Sequence, residues 1–505
     1  MKACLILFLN LVIWPVFGQS LSQQEIKSLA DEGFIAGLTT LRDFLKLSNI
    51  GSNPSDIDQN LAWCEEAFAA LDFETSILTS EGIKHLLAEK TYRPAAPTIL
   101  IYMQIDGQPV DPAEWDQPDP FDPVVKECSA EHCSIVPWKQ VLDSWQPDWK
   151  LFARSASDSK GPAVAFIQAL HILKQQGMQP AFNLKIIMDF QEELGSPTLP
   201  ALVENNRERF SAEAMLIMDG TRPPGNMPNL TFGARGIATL KLTIFGARRN
   251  LHSGQYGNFA PNPAFGLSRL LAGMKDESGK VLIPGFYDGV VLSDAQKKLI
   301  NQVPEDRKEL LLSLGIHAPE EVGNTYQEAL QYPSLNVRGL KAAWVNEEVR
   351  TIIPAEAIAE IDMRLVPETP AERQIQLVRD YIEGQGYTII DSLPTEEQRK
   401  SNSKLLRLEY RIGSRPFKTP LDSPIGMWLG KAMDRTFGEG GYVNMQSTGG
   451  SQPIAPFITT LGVPAVSVRI PNPDNSIHAP NENLRLGNFL EGIQTCLGIL
   501  TQSYE

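Results

Sequence analysis

Two adjacent carboxylates, Glu192 and Glu193, follow the apolar run Leu184 to Met188 in the segment LKIIMDFQEELGS, residues 184–196. Two acids at the end of a buried strand are costly unless something pairs them. A divalent cation does so: one carboxylate ligates while its neighbour handles protons. The bland alternative is an exposed turn with two solvated acids. Three more acids sit in comparable places. Asp106 follows the apolar run 98–103, Asp219 follows 214–218, and Asp158 opens the helical run 163–175. His478 lies in a loop after the apolar run 465–470. Singly, Asp158 is explained as a helix cap and a loop histidine as solvated. Together they describe one sheet edge where a metal activates water, a carboxylate accepts its proton and a donor stabilises the developing charge.

Such an edge needs a parallel α/β layer. The order strand, helix, strand, helix, strand through residues 98–218 supplies one, with the acids at the carboxyl ends. Before it, residues 22–92 carry helical periodicity, for example Ile26, Leu29, Phe34 and Leu38, then Ala62 to Leu71. Residues 110–150 read as a long surface loop packed by its own aromatics, Trp115, Trp138, Trp145 and Trp149. From about Phe232 the grammar changes. A strand at 237–245, a helix at 264–274, a longer helical stretch at 293–314, strands at 335–346 and 356–366, a helix at 370–385 and a strand near 386–391 describe an inserted α+β unit with an antiparallel sheet. After Arg415-Pro416-Phe417, a helix at 424–437 and the strand at 465–470 return to the first architecture.

The 505 residues exceed what one core normally serves, so two domains are expected. A net charge of −15 with no Lys/Arg cluster argues against nucleic acid and anionic membrane surfaces as partners. Residues 1–18, MKACLILFLNLVIWPVFG, read as a secretory signal peptide, which places the mature protein outside the cytoplasm, periplasmic or secreted. A membrane anchor is disfavoured because the run is short and Pro15 interrupts it. Cleavage leaves Cys64, Cys128, Cys133 and Cys496. Cys128 and Cys133, with His132 between them, read as a loop disulfide; a zinc site there is the weaker reading, since no fourth ligand is near in sequence. HExxH, GxSxG and phosphate-cradling glycine motifs are absent.

From about residue 25 to the end the chain resembles the zinc-dependent M20 metallopeptidases, in particular the carnosinase and non-specific dipeptidase branch. The resemblance rests on ASDSKGP, FQEELGS, the strand-final MDG, NLHSGQYG, RTIIP with DMRLVP, GGSQP and HAPNE, in that order. It implies a zinc-peptidase-like α/β catalytic domain with a mostly parallel central sheet, residues 19–233 and 417–505, and an inserted α+β lid that also dimerises, residues 234–416. It further implies hydrolysis of dipeptides or N-acyl amino acids by a homodimer with two zinc ions. By that resemblance Asp158 bridges the metals, Glu193 and His478 complete one site, and Asp219 ligates at the other. Glu192 is the general base. His252 steadies the oxyanion in the partner subunit's site, and Asp106 orients a metal-site histidine. Thr351, Arg364 and Ser451 match substrate-binding positions, with Arg364 suited to a carboxylate.

The chain departs from the family pattern where that histidine belongs, because Gln104 stands there. What remains at that site, Gln104, Asp158 and Asp219, is an all-oxygen set, which leans toward Mg or Mn rather than zinc. The expectation is one firmly held zinc and a second position that is weak or filled by a harder cation. Asp106 is expected to accept a hydrogen bond from the Gln104 amide. Ala153, Ser155, Ser159 and Ser447-Thr448 also replace the usual residues. A mono-metallic hydrolase with a shifted substrate, or an impaired member acting as a binding protein, therefore stand as alternatives to an ordinary peptidase.

Overall fold

The computed structural model describes residues 20–129 and 132–504, so the expected signal peptide, residues 1–18, lies outside the described residues. The chain forms two compact units. The first runs up to Leu230 and adds Leu421–Val443 and the chain from Thr460; the second is Thr231–Pro420 with Asn444–Thr459. Sequence grammar alone assigns everything after 417 to the catalytic part. The stretch Asn444–Thr459, which carries Ser451, instead clusters with the insert. Backbone bonds hold it there: Thr448 N–H donates to Gly233 O at 3.0 Å and Arg235 N–H to Gly450 O at 3.2 Å.

The first unit is built on an eight-stranded sheet in the spatial order Glu74–Ser80, Ile83–Lys90, Asn183–Asp189, Thr98–Gln104, Ala214–Ile217, Ala465–Arg469, Asn229–Thr231, Val443–Met445. Thr98–Gln104 pairs in parallel with both of its neighbours, and Ala214–Ile217 in parallel with Ala465–Arg469. These central strands are buried along nearly their whole length, which is why their sequences are continuous apolar runs rather than alternating ones. Helices Gln23–Leu45, Lys160–Gln175 and Leu486–Leu500 pack on one another. The first of these starts in a capping box between Ser22 and Glu25.

Two expectations fail here. Helical periodicity does not extend to 92: helices Gln23–Leu45 and Pro54–Ala69 are followed by an antiparallel hairpin, Glu74–Ser80 with Ile83–Lys90. Its β-branched residues Thr75, Ile77 and Thr79 favour strand. Glu81 and Gly82 turn it with positive φ of 50° and 84°, the geometry a two-residue hairpin needs. Nor is 110–150 a self-packed loop. It contains the hairpin Val124–Cys128 with Cys133–Val136 and the helix Trp138–Ser144. The hairpin joins Lys150–Phe152 and Asn483–Arg485 in a four-stranded sheet. Trp145 packs on Phe34 of the first helix, ring centroids 4.1 Å apart. Cys128 and Cys133 face each other across the hairpin and form a disulfide.

The second unit carries a five-stranded sheet in the order Ser334–Lys341, Glu356–Leu365, Gly236–Phe245, Leu405–Ile412, Thr388–Ile390. All pairs are antiparallel except the last. Glu356–Leu365 alternates strictly, with Ala357, Ala359, Ile361, Met363 and Leu365 in a core shared with Leu267 and Leu270 of helix Pro263–Ala272 and Ile375, Val378 and Ile382 of helix Ala371–Gly384. The strand Leu405–Ile412 is not anticipated from sequence: apolar at one end and charged at the other, it lacks clean alternation. The helical stretch at 293–314 is two short helices, Asp294–Ile300 and Arg307–Leu314, separated around Pro304. Among the described residues no helix is long and apolar enough to cross a membrane.

Candidate metal and catalytic site

Strand direction assembles the site. Because Thr98–Gln104, Asn183–Asp189 and Ala214–Ile217 run parallel, their carboxyl ends bring Gln104 and Asp106, Glu192 and Glu193, and Asp219 to one edge. His478 comes from the loop after Ala465–Arg469, and Asp158 from the turn before Lys160–Gln175. Asp158 does not cap that helix: its N-cap is Ser159, which makes no side-chain cap bond.

His478 Nε2 lies 3.0 Å from Asp158 Oδ2 and 3.1 Å from Glu193 Oε2. One donor atom from each of the three residues lies within 4.8 Å of the other two. Glu193 Oε2 also accepts from Gln108 Nε2 at 2.8 Å, while Glu193 Oε1 is buried and has no partner. Asp106, fully buried, accepts the backbone N–H of Glu192 at 3.0 Å and of Glu193 at 3.1 Å. The expected bond from Gln104 to Asp106 is therefore wrong. Asp106 grips the turn that carries the two glutamates, and Gln104 Nε2 donates to Asp158 Oδ1 instead. Behind that turn, Asp189 accepts from Tyr102 Oη at 2.9 Å, Ser196 Oγ at 2.5 Å and the Gln191 N–H at 3.0 Å.

The electrostatics are lopsided. Burial, then the charges of Asp219, Asp158, Glu193 and Asp106, push the Glu192 carboxyl well above its ordinary value. Burial raises Asp158 too, against its bond from His478. Hydrogen bonds to Asp158 and Glu193 push the His478 imidazole up to about 10. Five carboxyl groups that repel one another through Glu192, with one imidazole among them, are a charge surplus that a divalent cation would neutralise. One nitrogen and two carboxylates, with an unpartnered Glu193 oxygen, match the donor set of a catalytic zinc-type site that keeps a place for water.

The neighbouring position does not match in the same way. Asp158 Oδ1 accepts from Gln104 Nε2, and the Ser159 hydroxyl lies 3.0 Å from it and 3.4 Å from Asp219 Oδ1. Neutral donors thus stand where a cation would face that oxygen.

Two contributors escaped the sequence reading. Glu482, fully buried, accepts from Arg154 Nη1 at 2.7 Å, from Ser155 N–H, Ser157 N–H and Asp158 N–H at 2.9 Å each, and from Ser157 Oγ at 2.8 Å. Gln108 holds Glu193. The only signal for Glu482 was an acid four residues beyond His478; nothing in sequence marked Gln108.

The second unit gathers the remaining candidates. Leu251–His252 pairs with Ile352–Ile353, and Ser253 N–H donates to Thr351 O at 3.2 Å, so His252 and Thr351 are neighbours. His252 Nδ1 accepts the Gly254 N–H at 3.1 Å, which leaves the ring proton on Nε2 as a donor. Arg364 stands on Glu356–Leu365 with Asp362 at 3.8 Å. Ser451 follows Gly450, the acceptor of the Arg235 N–H.

Residues 100–502 match the model of peptidase family M20/M25/M40. The chain is 27% identical over 409 residues to a Cys-Gly metallodipeptidase of Schizosaccharomyces pombe, covering 79% of each chain. It is 26% identical over 415 residues to the human Beta-Ala-His dipeptidase, covering 81% of this chain and 75% of that one. Among solved structures, an M20 family metallo-carboxypeptidase from Sulfolobus solfataricus superposes with a TM-score of 0.73 at 25% identity, covering 92% of this chain and 98% of that one. Human carnosine dipeptidase 1 superposes with a TM-score of 0.71 at 22% identity, covering 96% and 99%.

Proposed function

The chain belongs to peptidase family M20/M25/M40, and from that membership we propose that it is a metal-dependent hydrolase of the amide bond in dipeptides or N-acyl amino acids. The observation that carries the reading is the trio Asp158, Glu193 and His478 with Glu192 directly behind it in sequence. These three residues hold the ion, and zinc suits their donors. When bound, such an ion lowers the pKa of water toward about 7 and polarises the scissile carbonyl. Glu192 takes the proton of the attacking water and delivers it to the leaving amine. Burial and the neighbouring carboxylates raise its proton affinity, which makes it the stronger base for that task. The Nε2–H of His252 serves the developing oxyanion, and Arg364, Thr351 and Ser451 hold the substrate, Arg364 by its carboxylate. The chain acts as a homodimer through the second unit, and residues 1–18 direct its export.

The donors on Asp158 Oδ1 favour a single firmly held ion over two. Elemental analysis of the purified protein, with turnover on a panel of dipeptides and N-acyl amino acids, tests both statements. About one zinc per chain is expected. Glu192→Gln should keep the ion and lose about 10²–10⁴-fold in kcat. No bound metal, or undiminished turnover in that variant, would overturn the mechanism. Bound metal with no turnover on any substrate would make the chain a binding protein.

A further inference from the structure

The second unit carries a solvent-open cavity of about 330 Å³ that the proposed chemistry does not use. That size falls at the lower end of ligand pockets, roughly 300–1,000 Å³. One side of it is aliphatic: Leu311 and Leu314 of helix Arg307–Leu314, then Ile316, Val322 and Leu335. The helix has no buried residue, and Leu314 is 61% exposed, so its leucines lack the apolar partner that such a side chain normally finds.

Arg235 also lines the cavity and is only 7% exposed. Its Nη2 donates to Tyr332 O at 2.7 Å and Ser334 Oγ at 3.0 Å, but its buried Nε has no acceptor. A buried guanidinium with an unused N–H is costly. A second cation aggravates this, since Ser334 is the register partner of Arg364 on the adjacent strand. Burial, then the charge of Arg364, pulls Arg235 down to about 10. Of the other charged groups at the wall, Arg307 is exposed and, among the described residues, donates only to Asn324 O at 3.4 Å. Lys275 pairs with Glu320 at 2.6 Å, and Glu305 accepts the Tyr326 N–H at 2.9 Å. A carboxylate would satisfy Arg235, and an alkyl chain would cover the leucines.

We propose that this cavity binds an amphipathic monocarboxylate, its head group on Arg235 and its aliphatic chain along Leu311, Leu314 and Ile316. None of Asp158, Glu193 and His478 lines it. Titration calorimetry of decanoate into the full-length, metal-loaded protein tests it, with decanol and acetate as controls. Decanoate should bind saturably, and decanol and acetate at least about tenfold more weakly, because a charge-assisted bond and the buried chain each contribute more than one such step. Arg235→Met should weaken decanoate at least about tenfold. Leu311→Asp, on a helix with no buried residue, should do the same if Arg235→Met does not fold. Glu193→Gln should leave binding unchanged. No saturable binding, equal binding of decanol or acetate, unchanged binding in both cavity variants, or loss of binding in Glu193→Gln would each overturn the proposal.

Discussion

Glu482 holds Asp158 through the backbone: its Oε1 accepts the Asp158 N–H at 2.9 Å, and the same oxygen takes the N–H of Ser157. The other oxygen is fixed by Arg154 at 2.7 Å and the Ser155 N–H. One carboxylate thereby sets the turn that aims the central ligand of the site. Glu482→Gln cannot accept at every one of these donors and leaves Arg154 buried without its counter-charge. A loss of about 3–5 kcal/mol in the first unit is expected, read from denaturant unfolding. Metal affinity should fall about 10–100-fold in the same variant. Unfolding that matches the parent would mean that the cradle is redundant.

Gln104→His, alone and with Ser159→Asp, removes the neutral donors from Asp158 Oδ1 and supplies an imidazole or a second carboxylate. Elemental analysis should then rise from about one ion per chain toward two. Two ions in the unaltered protein would show that the Gln104 amide turns its oxygen, buried and unpartnered here, toward a cation.

His252→Ala should abolish turnover with metal content unchanged, because the residue lies in the second unit while the proposed ligands Asp158, Glu193 and His478 lie in the first. Mixing it with Glu192→Gln, itself inactive, should restore part of the activity if His252 serves the site of a second copy. Sedimentation must show a dimer in both. An active monomer would remove that role.

Asp474 belongs to the loop that carries His478. Burial alone would raise its carboxyl, but bonds from Arg485 at 2.8 Å, Lys150 at 2.6 Å and Asn472 at 2.8 Å outweigh this and hold it well below the usual carboxylate range. A folded pKa below the unfolded one gives stability that is present above the unfolded value of 3.8 and lost as pH falls below it. Asp474→Asn should therefore lower Tm near about pH 6, and the gap should narrow progressively as pH falls from 3.8 toward the much lower folded value. The gap should be small, because the side chain is 45% exposed. A gap that does not narrow at all as pH falls below 3.8 would assign the effect to packing.

What sequence revealed follows from what periodicity and strand ends encode. The buried runs 98–103, 184–188 and 214–218 identify their own strands, and the acids just past them fall on one edge once those strands are parallel. The hairpin Glu74–Ser80 with Ile83–Lys90 was hidden because its burial alternates weakly next to two strongly helical segments. Asp106 and Gln104 are assigned to each other because, by the resemblance, Asp106 orients the histidine that Gln104 replaces. In a strand their two-residue spacing does put side chains on one face, but Asp106 lies past the strand end and turns to the Glu192 and Glu193 amides. Glu482 stayed invisible because its partners are more than 320 residues away in sequence.

The strand order has a consequence for how the protein is made. Ala465–Arg469 is among the last strands to be synthesised, yet it lies between Ala214–Ile217 and Asn229–Thr231 in the sheet. A growing chain at about 5–20 residues per second takes on the order of tens of seconds to translate the stretch between them. For that interval the edge of Ala214–Ile217, apolar along its whole length, stands without its neighbour on the ribosome. Nascent chains ending before residue 465 lack both that strand and His478. They should be sticky and unable to retain metal, and ribosome profiling of chaperone occupancy should peak across this stretch.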